Sequence, residues 1–208
     1  MTISTDVQEE HRDLARTWGL YLTDEEALTA ARFYEDHRPA RAPHRLVRLH
    51  QDGRLTGDLA TYLVPSVWRF RRDECDVPVD MWLRLFEATR YTSDFSVSRR
   101  PRFPLRLYRG ATAANKKGLS WTTKLDQAIY FARSRQAPGA VAHIWIATVP
   151  ARQLLAYLGG WEHEYVVDPR ELTVRQFDPA SAQGRREARL PATRLLLTGR
   201  STAGSSEG

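Results

Sequence analysis

The sequence is poor in cysteine and in long apolar runs, and each shortage narrows the class of protein. The single cysteine, Cys75, excludes a disulfide within the chain, and no Cys/His spacing typical of a zinc site is present. No apolar run approaches the ~20 residues that a membrane-spanning helix needs. The polar and acidic start, residues 1–12, lacks the hydrophobic segment of a secretory signal. These absences predict a soluble, cytoplasmic protein without a metal and without a membrane partner.

Lysine is also scarce, so arginine carries almost all of the positive charge. Only three of the 31 Lys and Arg residues are Lys, the formal net charge is +6, and the sequence pI is about 9.8. A basic surface favours acidic partners such as nucleic acid or an anionic cofactor. The arginines are scattered rather than grouped in one run, which is typical of a solvated surface. The composition therefore permits nucleic-acid binding without indicating it.

Apolar residues, by contrast, are plentiful enough for a sizeable core. Hydrophobic residues make up 42% of the 208 residues and include six Trp, seven Phe and eight Tyr. The charged fraction of 27% and the mean hydropathy of -0.51 favour a soluble domain. This length suits one domain, or one catalytic core with a helical extension.

The first hundred residues carry helical patterns. The spacing of apolar residues predicts four helices, over residues 24–37, 43–50, 55–72 and 79–91. Thr23 is placed to cap the first of them, and Pro65 is expected to kink or split the third. We therefore expect a helical N-terminal region over residues 1–100.

Strand patterns follow a basic, proline-bracketed linker at residues 99–104. Strands are predicted over residues 105–109, 119–123, 141–149, 172–177 and 195–198, with a helix over 126–134 and a helical turn over 152–158. Gly110 is expected to end the first strand. The sequence thus predicts the α+β class, with a core over residues 101–200 and a flexible tail over 201–208.

Two acids, Glu162 and Glu164, stand where a loop is predicted to become a strand. Gly159-Gly160 is a turn signal, and Tyr165-Val166-Val167 has strand propensity. Because side chains at i and i+2 of a strand share a face, both carboxylates are expected to point to the same side. Such a pair suits chemistry at a cationic centre, and the alternative is two solvated acids on an edge strand.

Three segments in this order resemble the motifs of the mono-ADP-ribosyltransferase superfamily. They are Leu107-Tyr108-Arg109-Gly110, Gly118-Leu119-Ser120-Trp121-Thr122-Thr123 and Glu162-His163-Glu164-Tyr165-Val166-Val167-Asp168-Pro169. They match the class marked by an arginine at a strand end, a Ser-Thr-Ser-like strand and Glu-x-Glu. The resemblance covers roughly residues 105–177. It implies a mixed β-sandwich core of ADP-ribosyltransferase type, preceded by helices, that uses NAD as co-substrate and no metal.

The resemblance assigns NAD-binding roles to the first two segments. Arg109, beside the backbone-permissive Gly110, is expected to contact the NAD phosphates. Ser120 is expected to hydrogen-bond the catalytic acid or the nicotinamide ribose. Trp121 departs from the middle threonine of the family pattern and Thr122 from its last serine, so a register with Thr122 or Thr123 in the key role stays open.

The same resemblance separates the two acids. Glu164 matches the catalytic glutamate, which stabilises the oxocarbenium-like ribose as nicotinamide leaves. Glu162 matches the residue that orients and deprotonates an arginine guanidinium or another nitrogen acceptor. Trp161, just before it, is expected to contact a target rather than the core.

The implied function is transfer of one ADP-ribose from NAD to a macromolecule, with protein arginine as the first expectation for the acceptor. A nucleic-acid base or end is the alternative acceptor, and NAD glycohydrolysis is the alternative reaction. Outside enzymes, a degenerate transferase fold that binds nucleic acid or a partner stays open. By analogy with the family, a toxin-like, phage-encoded or defence effector is implied.

Overall fold

The computed structural model describes residues 3–35, 38–71, 76–134 and 140–192. These residues form seven α-helices and eight strands with mostly antiparallel pairing, so the α+β class is confirmed. The strand predicted at 195–198, the tail at 201–208 and Cys75 lie outside the described residues. Within them, no helix combines the length and the apolar character that a bilayer crossing requires.

The helices are α1 (Thr5–Thr17), α2 (Asp24–Glu35), α3 (Ala42–Gln51), α4 (Gly57–Phe70), α5 (Val79–Glu87), α6 (Leu125–Ser134) and α7 (Ala182–Ala188). The strands are β1 (Thr92–Ser93), β2 (Ser96–Val97), β3 (Leu105–Thr112), β4 (Ser120–Thr122), β5 (Ala142–Val149), β6 (Leu154–Leu158), β7 (Glu164–Val167) and β8 (Arg175–Phe177). Short 3-10 helices cover Pro39–Arg41 and Ala151–Gln153.

The chain divides into two compact units. The first comprises Met1–Arg100, Gly118–Trp121 and Arg152–Glu171, and the second comprises Pro101–Lys117, Thr122–Ala151 and Leu172–Gly208. The end of the helical region expected at residue 100 coincides with a unit boundary. The segments that carry Ser120 and the two acids nevertheless fold with the helices.

The four helices predicted for the N-terminal region are confirmed as α2 to α5. A capping box starts α2: the Thr23 hydroxyl accepts from the Glu26 N–H at 3.2 Å, and the Glu26 carboxylate accepts from the Thr23 N–H at 2.9 Å. Pro65 does not split α4, which continues through it. The helix α1 was not expected, although Ser4 caps it by accepting from the Val7 N–H.

Helix α4 is the central element of the first unit. Every residue from Leu59 to Trp68 is buried, and the surrounding helices turn their apolar faces toward it. Leu46 of α3 and Phe86 of α5 belong to the same core, as does Val166 of β7. Burial of one such side chain contributes about 1.5–3 kcal/mol, so this core fixes the end of α4 firmly.

The strands of the first unit follow the order β2-β1-β6-β7, with β1 and β6 parallel and the other pairs antiparallel. The helical turn expected over residues 152–158 is wrong beyond Gln153, because β6 begins at Leu154. Buried Leu154, Ala156 and Leu158 alternate with less buried neighbours. This period of two is the burial pattern of a strand, and the sequence does not show it, because all five residues from Leu154 to Leu158 are apolar or aromatic.

In the second unit β5 pairs antiparallel with β3 over its whole length and with β8. Thr122 of β4 pairs with Tyr108 on the opposite side of β3. The core of this unit comprises Tyr108, Ala128, Ala132, Ile144, Ile146 and Phe177. The strand end expected at Gly110 is wrong, since β3 continues to Thr112.

Gly110 allows β3 to approach the backbone of α6. A Cβ atom at this position would lie 2.0 Å from the Ala128 carbonyl oxygen and 2.5 Å from the Ala132 nitrogen. Both distances are shorter than van der Waals contact. Packing against α6 therefore explains why a glycine occupies this position.

We expect Gly110→Ala to lower the free energy of unfolding by about 3 kcal/mol, because the methyl group has to displace helix backbone. Gly53→Ala is the control. Its added methyl group meets nothing within 4 Å, so only the positive φ of +67° opposes it, at about 1 kcal/mol. Urea unfolding measures both variants, and equal losses would contradict the packing role of Gly110.

Candidate functional site around Glu164

The end of α4 presents one aromatic and one cationic side chain. The Trp68 ring is buried and packs edge-on against Trp82 and Phe86, with ring centroids 4.9 and 5.6 Å apart. Arg71 caps the helix and lies over the Trp68 ring, its guanidinium carbon 3.4 Å from the ring centroid. Arg71 Nη1 also donates to the Trp68 carbonyl at 2.5 Å. Stacking and hydrogen bonding together fix the guanidinium.

Glu164, the first residue of β7, is buried beside these side chains and is only 6% exposed. Its Oε1 accepts a hydrogen bond from Trp68 Nε1 at 2.9 Å and another from the Ser120 hydroxyl. Arg71 Nη2 lies 3.6 Å from the same oxygen and donates to Ser120 Oγ at 3.1 Å. A buried carboxylate is costly unless donors surround it, and here three side chains converge on one of its oxygens.

The two oxygens of Glu164 differ in their surroundings. Among the described residues, every hydrogen bond and the ion pair of this carboxylate involve Oε1. Oε2 accepts no hydrogen bond from these residues. The arrangement leaves one carboxylate oxygen to accept a hydrogen bond from a ligand.

Backbone pairing brings the two strands of the site together. The Val167 N–H of β7 donates to the Leu119 carbonyl at 2.9 Å, just before Ser120. On the other edge of β7, Glu164 pairs with Leu158 of β6. Ser120 and Glu164 are thereby held in register although they are 44 residues apart in the chain.

Glu162 lies outside the strand that carries Glu164. The strand begins at Glu164, and His163 has a positive φ of 45°. The expectation that both acids share a strand face is therefore wrong, since that face requires an extended backbone through His163. His163 is structural: its Nδ1 is hydrogen-bonded to the Tyr157 hydroxyl at 3.0 Å. Trp161, in the same loop, is 58% exposed.

The turn between β1 and β2 holds the loop that carries Glu162. Asp94 Oδ1 accepts from the Gly159 N–H at 2.6 Å, and Arg69 Nη1 lies 3.8 Å from the same oxygen. Asp94 and Phe95 both have positive φ, 48° and 71°, as tight hairpin turns require. This hairpin was not expected from the sequence, because phenylalanine seldom adopts such a conformation.

The other candidate residues belong to the second unit. Arg109 is half-buried in β3, and its Nε donates to the Asn115 carbonyl at 3.1 Å. Thr122 is buried, and its hydroxyl accepts from the Lys124 N–H at 3.1 Å. Gly110 packs on α6, as described above. Of the sequence-based candidates, Ser120 and Glu164 are the pair in direct contact within the first unit.

Comparisons with protein-family models, with curated proteins and with solved structures each give no match. Within the described residues, no group of three or more His, Cys, Asp or Glu side chains is arranged to hold a metal ion. The chemistry of this chain has to be inferred from its own residues.

We expect Asp94→Ala to accelerate amide hydrogen exchange at Gly159 about tenfold, because a hydrogen bond to a charged acceptor is lost. Exchange followed by NMR measures this rate. The Val167 amide, which donates to Leu119, serves as the internal control and should exchange as in the wild type. An unchanged rate at Gly159 would show that Asp94 does not hold the loop.

Proposed function

We propose that the protein is an NAD-dependent mono-ADP-ribosyltransferase with Glu164 as its catalytic glutamate. The observation that carries the proposal is the hydrogen bond from the Ser120 hydroxyl to Glu164 Oε1. It joins the first hydroxyl of the Ser-Thr-Ser-like segment to the second acid of Glu-x-Glu, which is one of the two partners that the motif resemblance implies for Ser120. A β-sandwich of ADP-ribosyltransferase type, a cytoplasmic location and an effector role belong to the same proposal.

The proposed reaction begins with cleavage of the glycosidic bond between nicotinamide and ribose. The bonding electrons go to the nicotinamide nitrogen, and positive charge develops on the ribose. A carboxylate oxygen that accepts a hydrogen bond from the ribose 2′-hydroxyl stabilises this charge. We assign this role to Oε2 of Glu164, since Oε1 is already engaged by Trp68 and Ser120.

The acceptor nitrogen then forms a bond to the same ribose carbon and loses a proton. We assign receipt of this proton to Glu162, which lies in the loop beside the exposed Trp161. A protein arginine is the acceptor that a glutamate in this motif position favours. Arg109 is the proposed ligand of the NAD phosphates, with its Nε already fixed on the Asn115 carbonyl.

A nucleic-acid acceptor is the second candidate, favoured by the net charge of +6 and the sequence pI of about 9.8. With water as acceptor, the same bond cleavage is NAD glycohydrolysis. To separate these outcomes, the protein is incubated with labelled NAD and a cell lysate, and the product is digested with protease or with nuclease. Label released by protease alone supports the first candidate, and label released by nuclease alone supports the second. Nicotinamide release without labelled macromolecule indicates hydrolysis.

We expect Glu164→Gln to lower the rate of nicotinamide release about a hundredfold or more while NAD binding persists. The substitution keeps the size of the side chain but removes a charge contact worth about 3 kcal/mol in the transition state. Glu171→Gln, at a surface acid of the same unit paired with Arg152, is the control and should retain the wild-type rate. A near-normal rate of nicotinamide release by Glu164→Gln would exclude Glu164 as the catalytic glutamate.

We expect Glu162→Gln to abolish transfer to a macromolecule and to leave slow nicotinamide release to water largely intact. Glu164 is buried beside three donor side chains, whereas Glu162 lies in a loop. The two acids are therefore suited to different steps, Glu164 to bond cleavage and Glu162 to proton removal from the acceptor. Label incorporation and nicotinamide release are measured side by side. Equal loss of both activities would mean that the acids act as one unit.

A further inference from the structure

The helical region supplies two of the three side chains that surround Oε1 of Glu164. Trp68 donates to it directly, and Arg71 reaches it through Ser120. Both belong to α4 or its cap, in a region to which the motif resemblance assigns no role. We propose that Trp68 and Arg71 are positioning residues that hold Oε1 and thereby present Oε2 to the substrate. This inference rests on the proposed function of Glu164.

The direction of these hydrogen bonds follows from the chemistry of the donors. An arginine guanidinium has donors and no acceptor, and an indole N–H only donates. Because Arg71 Nη2 donates to Ser120 Oγ at 3.1 Å, the hydroxyl oxygen is the acceptor and its proton is left to point at Glu164. Arg71 therefore orients the Ser120 hydroxyl, and Ser120 in turn donates to Oε1.

The positions of both donors are fixed before any substrate arrives. Trp82 and Phe86 pack against the Trp68 ring, and the ring and carbonyl of Trp68 hold Arg71. Donors that do not have to reorganise stabilise charge in a transition state most effectively. The effect on catalysis should thus appear in kcat rather than in the binding of NAD.

The first test is Trp68→Phe, which keeps an aromatic ring in the cluster and removes the N–H donor together with the rest of the five-membered ring of the indole. We expect kcat for nicotinamide release to fall about tenfold with KM for NAD unchanged within about twofold. Trp18→Phe is the control, since Trp18 packs in the core of the same unit against Tyr62 and Phe95 rather than against Trp68, and it should retain the wild-type kcat. Equal kcat values for the two variants, or a rise of KM as large as the fall of kcat, would overturn the role of Trp68.

The second test removes the guanidinium. We expect Arg71→Ala to lower kcat about tenfold or more and added guanidinium ion at millimolar concentration to restore part of the loss, because a free guanidinium can donate to Ser120 Oγ. Arg48→Ala, at an exposed arginine of α3, is the control for the added ion and should not be stimulated. Absence of rescue in Arg71→Ala, with the variant folded by circular dichroism, would overturn the role of Arg71.

A third measurement does not depend on activity. In Glu164→Gln the indole N–H of Trp68 loses its charged acceptor, so its ¹⁵N-correlated NMR signal should shift, while the indole signal of Trp82 stays in place. An unmoved Trp68 signal would overturn the contact itself. If wild-type protein releases no nicotinamide from NAD, the proposed function fails, whereas normal release by the wild type and by Trp68→Phe overturns only the positioning role.

Discussion

Burial of one carboxylate is the constraint on which the first unit depends. Glu164 is 6% exposed, and a charge withdrawn from water to that extent costs several kcal/mol unless donors replace the solvent. The donors come from distant parts of the chain: Trp68 is 96 residues away and Ser120 is 44 residues away. The buried stretch of α4 and the pairing of β7 with the Ser120 segment can therefore be understood as the framework that keeps these donors in place.

The sequence predicted the features that depend on residues close together in the chain. The period of apolar residues located α2 to α5, and the hydroxyl and acid motifs selected Ser120 and Glu164, which the structure joins by a hydrogen bond. The start of β7 was harder to predict, because it depends on the positive φ of His163 and on the contact of this residue with Tyr157. A strand propensity scale does not register such a conformation.

The roles of Trp68 and Arg71 could not be predicted from local sequence patterns, for a different reason. In a helix as apolar as α4, a tryptophan near the end is expected to pack in the core, and its ring does so. Nothing nearby in the sequence indicates that its N–H meets an acid on a strand formed much later in the chain. Gly110 illustrates the converse: its position beside Arg109 suggested a place for a ligand, whereas the close backbone of α6 accounts for the missing side chain. A glycine at this position is compatible with a nearby ligand and with a closely packed helix, and only the packing in the structure distinguishes the two explanations.

The different settings of the two acids fit the different demands of the two proposed steps. Stabilising a short-lived positive charge requires a carboxylate whose position is fixed in advance, and donors on Oε1 of Glu164 provide that. Receiving a proton from the acceptor nitrogen requires a carboxylate that an incoming macromolecule can reach, and Glu162 lies in a loop next to an exposed tryptophan. That loop is not left unsupported, since Asp94 holds it at Gly159. The positive φ of His163 separates the two settings within two residues, so a helical or extended backbone at this position would place Glu162 differently relative to Glu164 and remove the distinction.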